Sequence, residues 1–176
     1  MNEKQAHKQE KLMWILLLIT VAAVATTVWA LFFRQTEGVL MPDYAPVETE
    51  VHAQPIPDDR PQQNQAQPGT GSVSLTYSNQ VTVSLGNKTA SLLFANPGNS
   101  NQDMVLQLLI QDTLIFQSGR LTPGNQMKTL ELEPDAEKRL TPGGYEGCFM
   151  VYYYDTVSAE KAIVNTQIPV SVTVNP

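Results

Sequence analysis

Four carboxylates that alternate around one proline are the densest set of chemically capable side chains in this chain. They are Glu131, Glu133, Asp135 and Glu137, around Pro134. Clustered carboxylate oxygens suit Ca²⁺, but no loop of the Asp-x-Asp type is present, and Lys138 and Arg139 follow directly. We therefore expect a solvated charged turn and no metal site. A carboxylate pair for sugar hydrolysis stays an open alternative, although nothing in the sequence selects a pair.

Other residue types that support catalysis are scarce. The chain has two histidines, His7 and His52, and one cysteine, Cys148. His7 precedes an apolar run and His52 lies in a proline-rich stretch, so we expect neither in the folded domain. Ser-His-Asp and Cys-His catalysis and His/Cys zinc sites are then excluded there. We predict no enzyme, no catalytic residue and no cofactor. Cys148 is expected to be a buried small hydrophobe, with an intermolecular disulfide as the alternative.

A tyrosine-rich strand offers a possible contact surface. Residues 145–154 alternate, and if Phe149, Val151 and Tyr153 face a core, the opposite face carries Met150, Tyr152 and Tyr154. An exposed aromatic stripe of this kind would suit a protein partner or, as the weaker alternative, a glycan. The competing interpretation is a central strand that is covered on both faces.

The elements that position these residues are predicted to be β-strands. Residues 73–176 show repeated period-2 alternation, for example at Val81–Leu85 and at Ile168–Val174, with turn signals between the runs. We expect an antiparallel sandwich of about seven to eight strands and one helical turn over Asp135–Lys138. The sequence Arg-Leu-Thr-Pro-Gly occurs at 120–124 and at 139–143, which predicts two equivalent type II corners at one end of the sandwich.

The second of these corners resembles a known fold family. The run Leu140-Thr-Pro-Gly-Gly-Tyr145, followed by an alternating strand, is similar to the corner before strand F of immunoglobulin-like and fibronectin type III-like domains. The resemblance implies that Tyr145 hydrogen-bonds back across a corner formed by Pro142 and Gly143. The antibody-type disulfide and the strand-C tryptophan are both absent.

An uncharged apolar run of 22 residues, Leu12–Phe33, predicts a membrane-spanning helix. At 1.5 Å per residue the run would extend about 33 Å, and Trp14 and Trp29 lie near its two ends, where indole rings prefer the interface. Three lysines precede the run and a single arginine follows it, so residues 1–11 should be cytoplasmic and the C-terminal part outside. The alternative is a signal peptide cleaved after Ala25, which would release a secreted domain.

A polar spacer follows the apolar run. Residues 34–72 contain six prolines and many Gln, Asp and Glu residues, which predicts a disordered linker between the helix at 12–33 and the domain at 73–176. Residues 35–176 carry fifteen acidic and seven basic residues, which argues against nucleic acid as a partner.

The plan of one span, one spacer and one sandwich is similar to small bitopic surface proteins of Gram-positive bacteria. That resemblance implies an adhesion or envelope role by analogy. We expect a non-enzymatic, membrane-tethered binding module that acts outside the cell through protein contacts. The alternative is a structural subunit of a secretion or conjugation complex whose transmembrane helix makes specific contacts.

Overall fold

The computed structural model describes residues 13–26, 41–57 and 73–176. The chain divides into two compact units, one ending at Gln35 and the other beginning at Thr36. In the first unit, helix α1 covers residues 13–26. Trp14 lies on α1 with an exposed side chain, whereas Trp29 lies outside the described residues.

The described part of helix α1, fourteen residues, is shorter than the predicted span of 22. In the parts of the chain that the structure describes, no helix is long and apolar enough to cross a membrane. The remainder of the predicted 12–33 helix, residue 12 and residues 27–33, falls outside those parts.

The second unit is mainly β-structure, which confirms the predicted fold class in its coarse form. The strands are β1 Gln54–Pro55, β2 Thr76–Tyr77, β3 Gln80–Ser84, β4 Thr89–Asn96, β5 Gln102–Ile110, β6 Thr113–Gln117, β7 Asn125–Glu131, β8 Gly143–Asp155 and β9 Lys161–Asn175, with the one-turn helix α2 at Ala136–Arg139. They form one hydrogen-bonded sheet in the order β1-β7-β4-β3-β9-β8-β5-β6, and β2 pairs with β4. All pairs are antiparallel except β3 with β9.

The sheet folds over on itself. Strands β3 and β9 separate β4 from β8, so a flat sheet would hold β4 and β8 about 14 Å apart. Phe94 on β4 nevertheless meets Phe149 on β8 edge to face, with ring centroids 6.3 Å apart. The core therefore lies between a β7-β4-β3 half and a β9-β8-β5-β6 half. Among the seven longer strands this order agrees with the A-B-E and G-F-C neighbours of immunoglobulin-like domains.

The two Pro-Gly corners are not equivalent, so that prediction is wrong. Gly124 has φ +81°, as a type II turn requires, whereas Gly143 has φ +153°. Gly124 precedes Asn125, which pairs with Asn96 at the end of β4. Gly143 pairs with Val174 of β9, and Val174 in turn pairs with the part of β3 that lies next to the start of β4. The two corners thus lie at opposite ends of the sheet, because β4 runs between them.

Part of the predicted linker is a structural element. Residues 41–57, which we call the strap, lie against the β-structure. The Ala45 amide donates to the Ala159 carbonyl at 2.8 Å, the Glu50 amide donates to the Arg120 carbonyl at 3.0 Å, and β1 pairs with the edge of β7. The prediction that the whole of 34–72 is a disordered spacer is therefore wrong for the strap. Residues 34–40 and 58–72 lie outside the described residues.

Candidate interaction surface

The outer face of β5 and β8 is covered by the strap. The solvent-exposed fractions of Met150, Tyr152 and Tyr154 are only 2%, 7% and 0%. They pack in a cluster with Val105 and Leu109, and the strap contributes Met41 to it. The possible contact surface at these residues is therefore not exposed, and the competing interpretation of a strand covered on both faces holds, because a segment about a hundred positions upstream closes over them.

Polar contacts fix the strap over this face. The Lys161 Nζ donates to the Met41 carbonyl at 2.8 Å, and the Tyr154 hydroxyl donates to the Pro42 carbonyl at 3.3 Å. The Gln107 amide nitrogen lies 3.2 Å from the Met41 sulfur. Burial, followed by the proximity of Tyr152 and Asp43, raises the pKa of Tyr154 to about 12. The strap therefore seals an apolar face that would otherwise be wet.

A buried carboxylate holds the second half of the strap. Glu50 is buried and accepts hydrogen bonds from the Gly119 amide at 2.7 Å and from the His52 amide at 2.9 Å. His52 is thereby brought onto the β-structure, and its Nε2 is buried without a hydrogen-bond partner. The expectation that no histidine belongs to the folded domain is wrong for this reason. The Glu50 carboxylate is already engaged by two backbone amides.

Cys148 packs against the cluster beneath the strap. Its side chain is half-buried, and burial raises the pKa of the thiol. Cys148 thus behaves mainly as a small apolar residue next to the strap-covered face.

The turn at Gly143 places the tyrosine that the fold resemblance singled out. The Tyr145 hydroxyl donates to the Thr141 carbonyl at 2.9 Å and accepts from the Thr141 amide at 3.2 Å. The hydroxyl groups of Tyr145 and Thr141 are also 2.9 Å apart. Thr141 is the residue before Pro142, so the tyrosine spans the corner as the resemblance implied.

The four clustered carboxylates do not converge. Glu137 forms an ion pair with Lys88 at 2.8 Å, and Asp135 pairs with Lys138. The hydrogen bond from Lys88 is the main reason that the pKa of Glu137 is lowered. In the portions of the chain covered by the structure, no three His, Cys, Asp or Glu side chains come together in a way that could hold a metal ion.

An exposed apolar patch surrounds the tip of the β8–β9 hairpin. Its members, which we call the tip patch, are Tyr44, Val157, Ile163 and Val164, with exposures of 61%, 93%, 104% and 70%. Tyr44 belongs to the strap and is bridged to Glu160 in the hairpin. The patch is therefore a composite of the strap and the hairpin.

A bulge in β9 explains why Ile163 and Val164 are exposed. Tyr152 pairs with Asn165 and Tyr154 pairs with Lys161, so β9 has two more residues than β8 over this interval. Extra residues in one strand turn side chains away from the regular pleat. The sequence analysis did not select these residues. The available signal was the run Ala-Ile-Val at 162–164, which breaks the alternation seen from Ile168 onward.

Acidic side chains border the tip patch. Asp43, Asp155 and Glu160 are all exposed. Hydrogen bonds from the Ser158 and Val157 amides lower the pKa of Asp155, so this carboxylate is ionised at neutral pH. The adjacent base, Lys161, is bound to the Met41 carbonyl and lies 3.8 Å from Asp43. The tip therefore presents apolar side chains within a net negative border.

Comparison with known proteins assigns no family to this chain. No protein-family model and no curated protein matches it. Solved structures with some similarity include the periplasmic chaperone SfaE, at 13% identity over 60% of this chain, with a TM-score of 0.32. Others are AggA, the major subunit of aggregative adherence fimbriae from Escherichia coli (14%, 59%, 0.29), and the CooA pilin subunit from enterotoxigenic Escherichia coli (15%, 59%, 0.27).

The aligned region covers 57% of SfaE, 95% of AggA and 99% of CooA. At these identities and TM-scores, none of the three similarities indicates what this chain binds.

Proposed function

We propose that this chain is a non-enzymatic protein-binding module, held at a bacterial membrane by its N-terminal helix and displayed outside the cytoplasm. The tip patch is the contact surface. The observation that carries the proposal is the grouping of three exposed apolar side chains on the β8–β9 hairpin with Tyr44 of the strap, which is bridged to Glu160. Scattered exposed hydrophobic residues are ordinary, but a grouped set marks an interaction site.

The other candidate surface was the face of β8 that carries Met150, Tyr152 and Tyr154, which we call the tyrosine face. This face is buried and is therefore not proposed as the contact surface. Tyr152 and Tyr154 are occupied by the strap, so a partner meets the tip patch without displacing any part of the fold. A glycan is a poorer match, because sugar rings stack on aromatic side chains and three of the four tip residues are aliphatic.

The described part of α1 is compatible with the membrane role in this proposal. Its large apolar side chains are exposed. The hydroxyl of Thr20 donates to the Leu16 carbonyl and that of Thr26 to the Ala23 carbonyl, both at 2.9 Å, so neither hydroxyl needs water. The lysine bias before the apolar run supports an outward C-terminal part.

Site-specific photocrosslinking in intact cells tests the proposed contact surface. A photoreactive amino acid is placed at Ile163 of the full chain, and separately at Asp112 as a matched exposed position. Asp112 follows the end of β5 at Ile110, whereas the start of β5 pairs with Asp155 at the tip, so Asp112 is at the opposite end of the sheet.

We expect a discrete protein adduct from position 163 and none from position 112. Position 163 should also be accessible to a membrane-impermeant reagent in intact cells. Equal adducts from both positions, or none from position 163 under conditions in which the chain is folded and displayed, would contradict the proposal.

A further inference from the structure

We infer that the tip patch recognises an apolar protein segment that is flanked by lysine or arginine. This inference rests on the proposed function and adds the chemistry of the partner. It follows from the charge around the patch, from the engagement of the bases near it in the part of the chain that the structure describes, and from the way in which both ends of the neighbouring edge of β9 are closed.

The charges at the tip are unbalanced. Three exposed carboxylates, on Asp43, Asp155 and Glu160, border the tip patch. Residues 162–176 contain no charged side chain, so the rest of β9 supplies no counter-charge. A partner with lysine or arginine beside its apolar residues would complement this border, and a partner with carboxylates there would be repelled.

The bases near the tip are already engaged. The Lys161 ammonium donates to the Met41 carbonyl and lies 3.8 Å from Asp43, so its charge offsets one of the three exposed carboxylates. The Arg120 side chain lies 3.6 Å from the buried carboxylate of Asp103, whose partner across the β5–β8 ladder is Tyr154, the residue before Asp155. Of the described bases, none forms an ion pair with Asp155 or Glu160, so these two exposed charges stay unbalanced.

The edge of β9 favours recognition by side chains over addition of a strand. The strap pairs with β9 at Lys161, and β3 pairs with β9 from Ser171 onward. The backbone of β9 between these two points therefore forms a sheet edge. The bulge at 162–164 distorts one end of this edge, and Pro169, which has no amide hydrogen, closes the other end. Bulges and prolines are the devices by which edge strands resist pairing. The partner therefore contacts Ile163 and Val164 through their side chains.

A peptide of defined composition tests this chemistry. The full chain is placed in phosphatidylcholine nanodiscs, and binding of a fluorescent nine-residue probe is measured by anisotropy. The probe has three valines separated by serines between two pairs of lysines. One matched probe has glutamates in place of the lysines, and another has serines in place of the valines. Empty nanodiscs give the lipid background.

Two tip variants and two control variants separate the contributions. Ile163→Ser removes an apolar contact, and the double variant Asp155→Asn with Glu160→Gln removes charge while the amide oxygen at 155 can still accept the turn hydrogen bonds. Asp112→Asn removes one exposed charge at the other end of the sheet, and Asn tolerates the positive φ of 63° there. Val51→Ser removes a side chain that is 85% exposed elsewhere on the strap.

We expect saturable binding of the lysine probe only. Each tip variant should weaken that binding about tenfold or more, binding should fall as salt increases, and both controls should bind as the unchanged chain does. The inference is overturned if the glutamate probe binds equally, if either tip variant binds like the unchanged chain, or if the lysine probe does not saturate. The photocrosslinking experiment reports separately on whether the tip contacts a protein at all, so the two failures are distinguishable.

Discussion

At the scale of single residues, Asp103 is a carboxylate whose surroundings oppose its charge. It is buried on β5, beside Tyr154 across the β5–β8 ladder. Burial is the main cause that raises its pKa, the charge of Asp155 adds to the effect, and Arg120 at 3.6 Å opposes it. An acid whose pKa is raised by folding makes stability fall as pH rises from its ordinary pKa of 3.8 through the raised value.

Replacing Asp103 with asparagine should flatten this pH dependence. We expect Asp103→Asn to be at least as stable as the unchanged chain at pH 7, because the desolvated charge is removed and the 3.6 Å contact with Arg120 is too long for a hydrogen bond. Denaturant unfolding of the full chain, monitored by circular dichroism at several pH values between 4 and 7, measures the effect.

Asp112→Asn, at an exposed turn, serves as the control and should change stability by less than about 0.5 kcal/mol at every pH. A loss of more than about 1 kcal/mol at pH 7 for Asp103→Asn would mean that the attraction between its charge and Arg120 outweighs the cost of burial.

At the scale of elements, the strap is the part that the sequence did not reveal. Its prolines and acids have the composition of a spacer, and its deeply buried apolar anchor is the single residue Met41. The alternation of β8 correctly placed Phe149, Val151 and Tyr153 in the main core. The same pattern left the opposite face undecided, because period-2 alternation cannot show which distant segment covers a second apolar face.

Introducing charge at Met41 should release the strap from the tyrosine face. We expect Met41→Asp to increase the rate at which maleimide labels Cys148 in the full chain, because this residue is the only cysteine and packs next to Met41's cluster. The matched control is Val47→Asp, which places the same charge in the same segment at a position that is 92% exposed.

The labelling rate of the control should equal that of the unchanged chain. Circular dichroism should show that the strands persist in both variants. Equal Cys148 labelling in Met41→Asp and the unchanged chain, with both folded, would contradict the assignment of the strap as a cover.

Gly119 tests the other half of the strap. A Cβ at this position would lie 2.9 Å from both the Cα and the backbone nitrogen of Glu50, and backbone atoms cannot rotate away. We expect Gly119→Ala to destabilise the fold by about 1–3 kcal/mol, as overpacking does. Gly86→Ala is the matched control, because its nearest contact, with Pro176, is an ordinary 3.7 Å. Thermal unfolding of both variants provides the comparison, and equal midpoints would argue against close docking of the strap at Gly119.

At the scale of the whole molecule, the coarse plan was predictable and the functional surface was not. Strand alternation predicted a mainly antiparallel β-domain, and the Leu140–Tyr145 run placed a tyrosine corner that the hydrogen bonds of Tyr145 complete. The tip patch combines Tyr44, from the presumed spacer, with a bulge whose register depends on the pairing of β8 with β9. The run at 162–164 marks a break in the alternation but not the pairing register, and no local pattern places Tyr44 beside it, because that contact joins segments about a hundred residues apart.

The size of the native complex in membranes tests the central claim most directly. The claim is that the tip patch, displayed outside the cytoplasm, binds a protein. Membranes that carry the full chain are solubilised gently and resolved by native electrophoresis. The unchanged chain and Asp112→Asn should migrate in a complex larger than the chain alone, whereas Ile163→Ser with Val164→Ser should migrate at the size of the chain, with its folding unchanged by circular dichroism. Migration of the tip variant in the same complex as the unchanged chain would contradict the account.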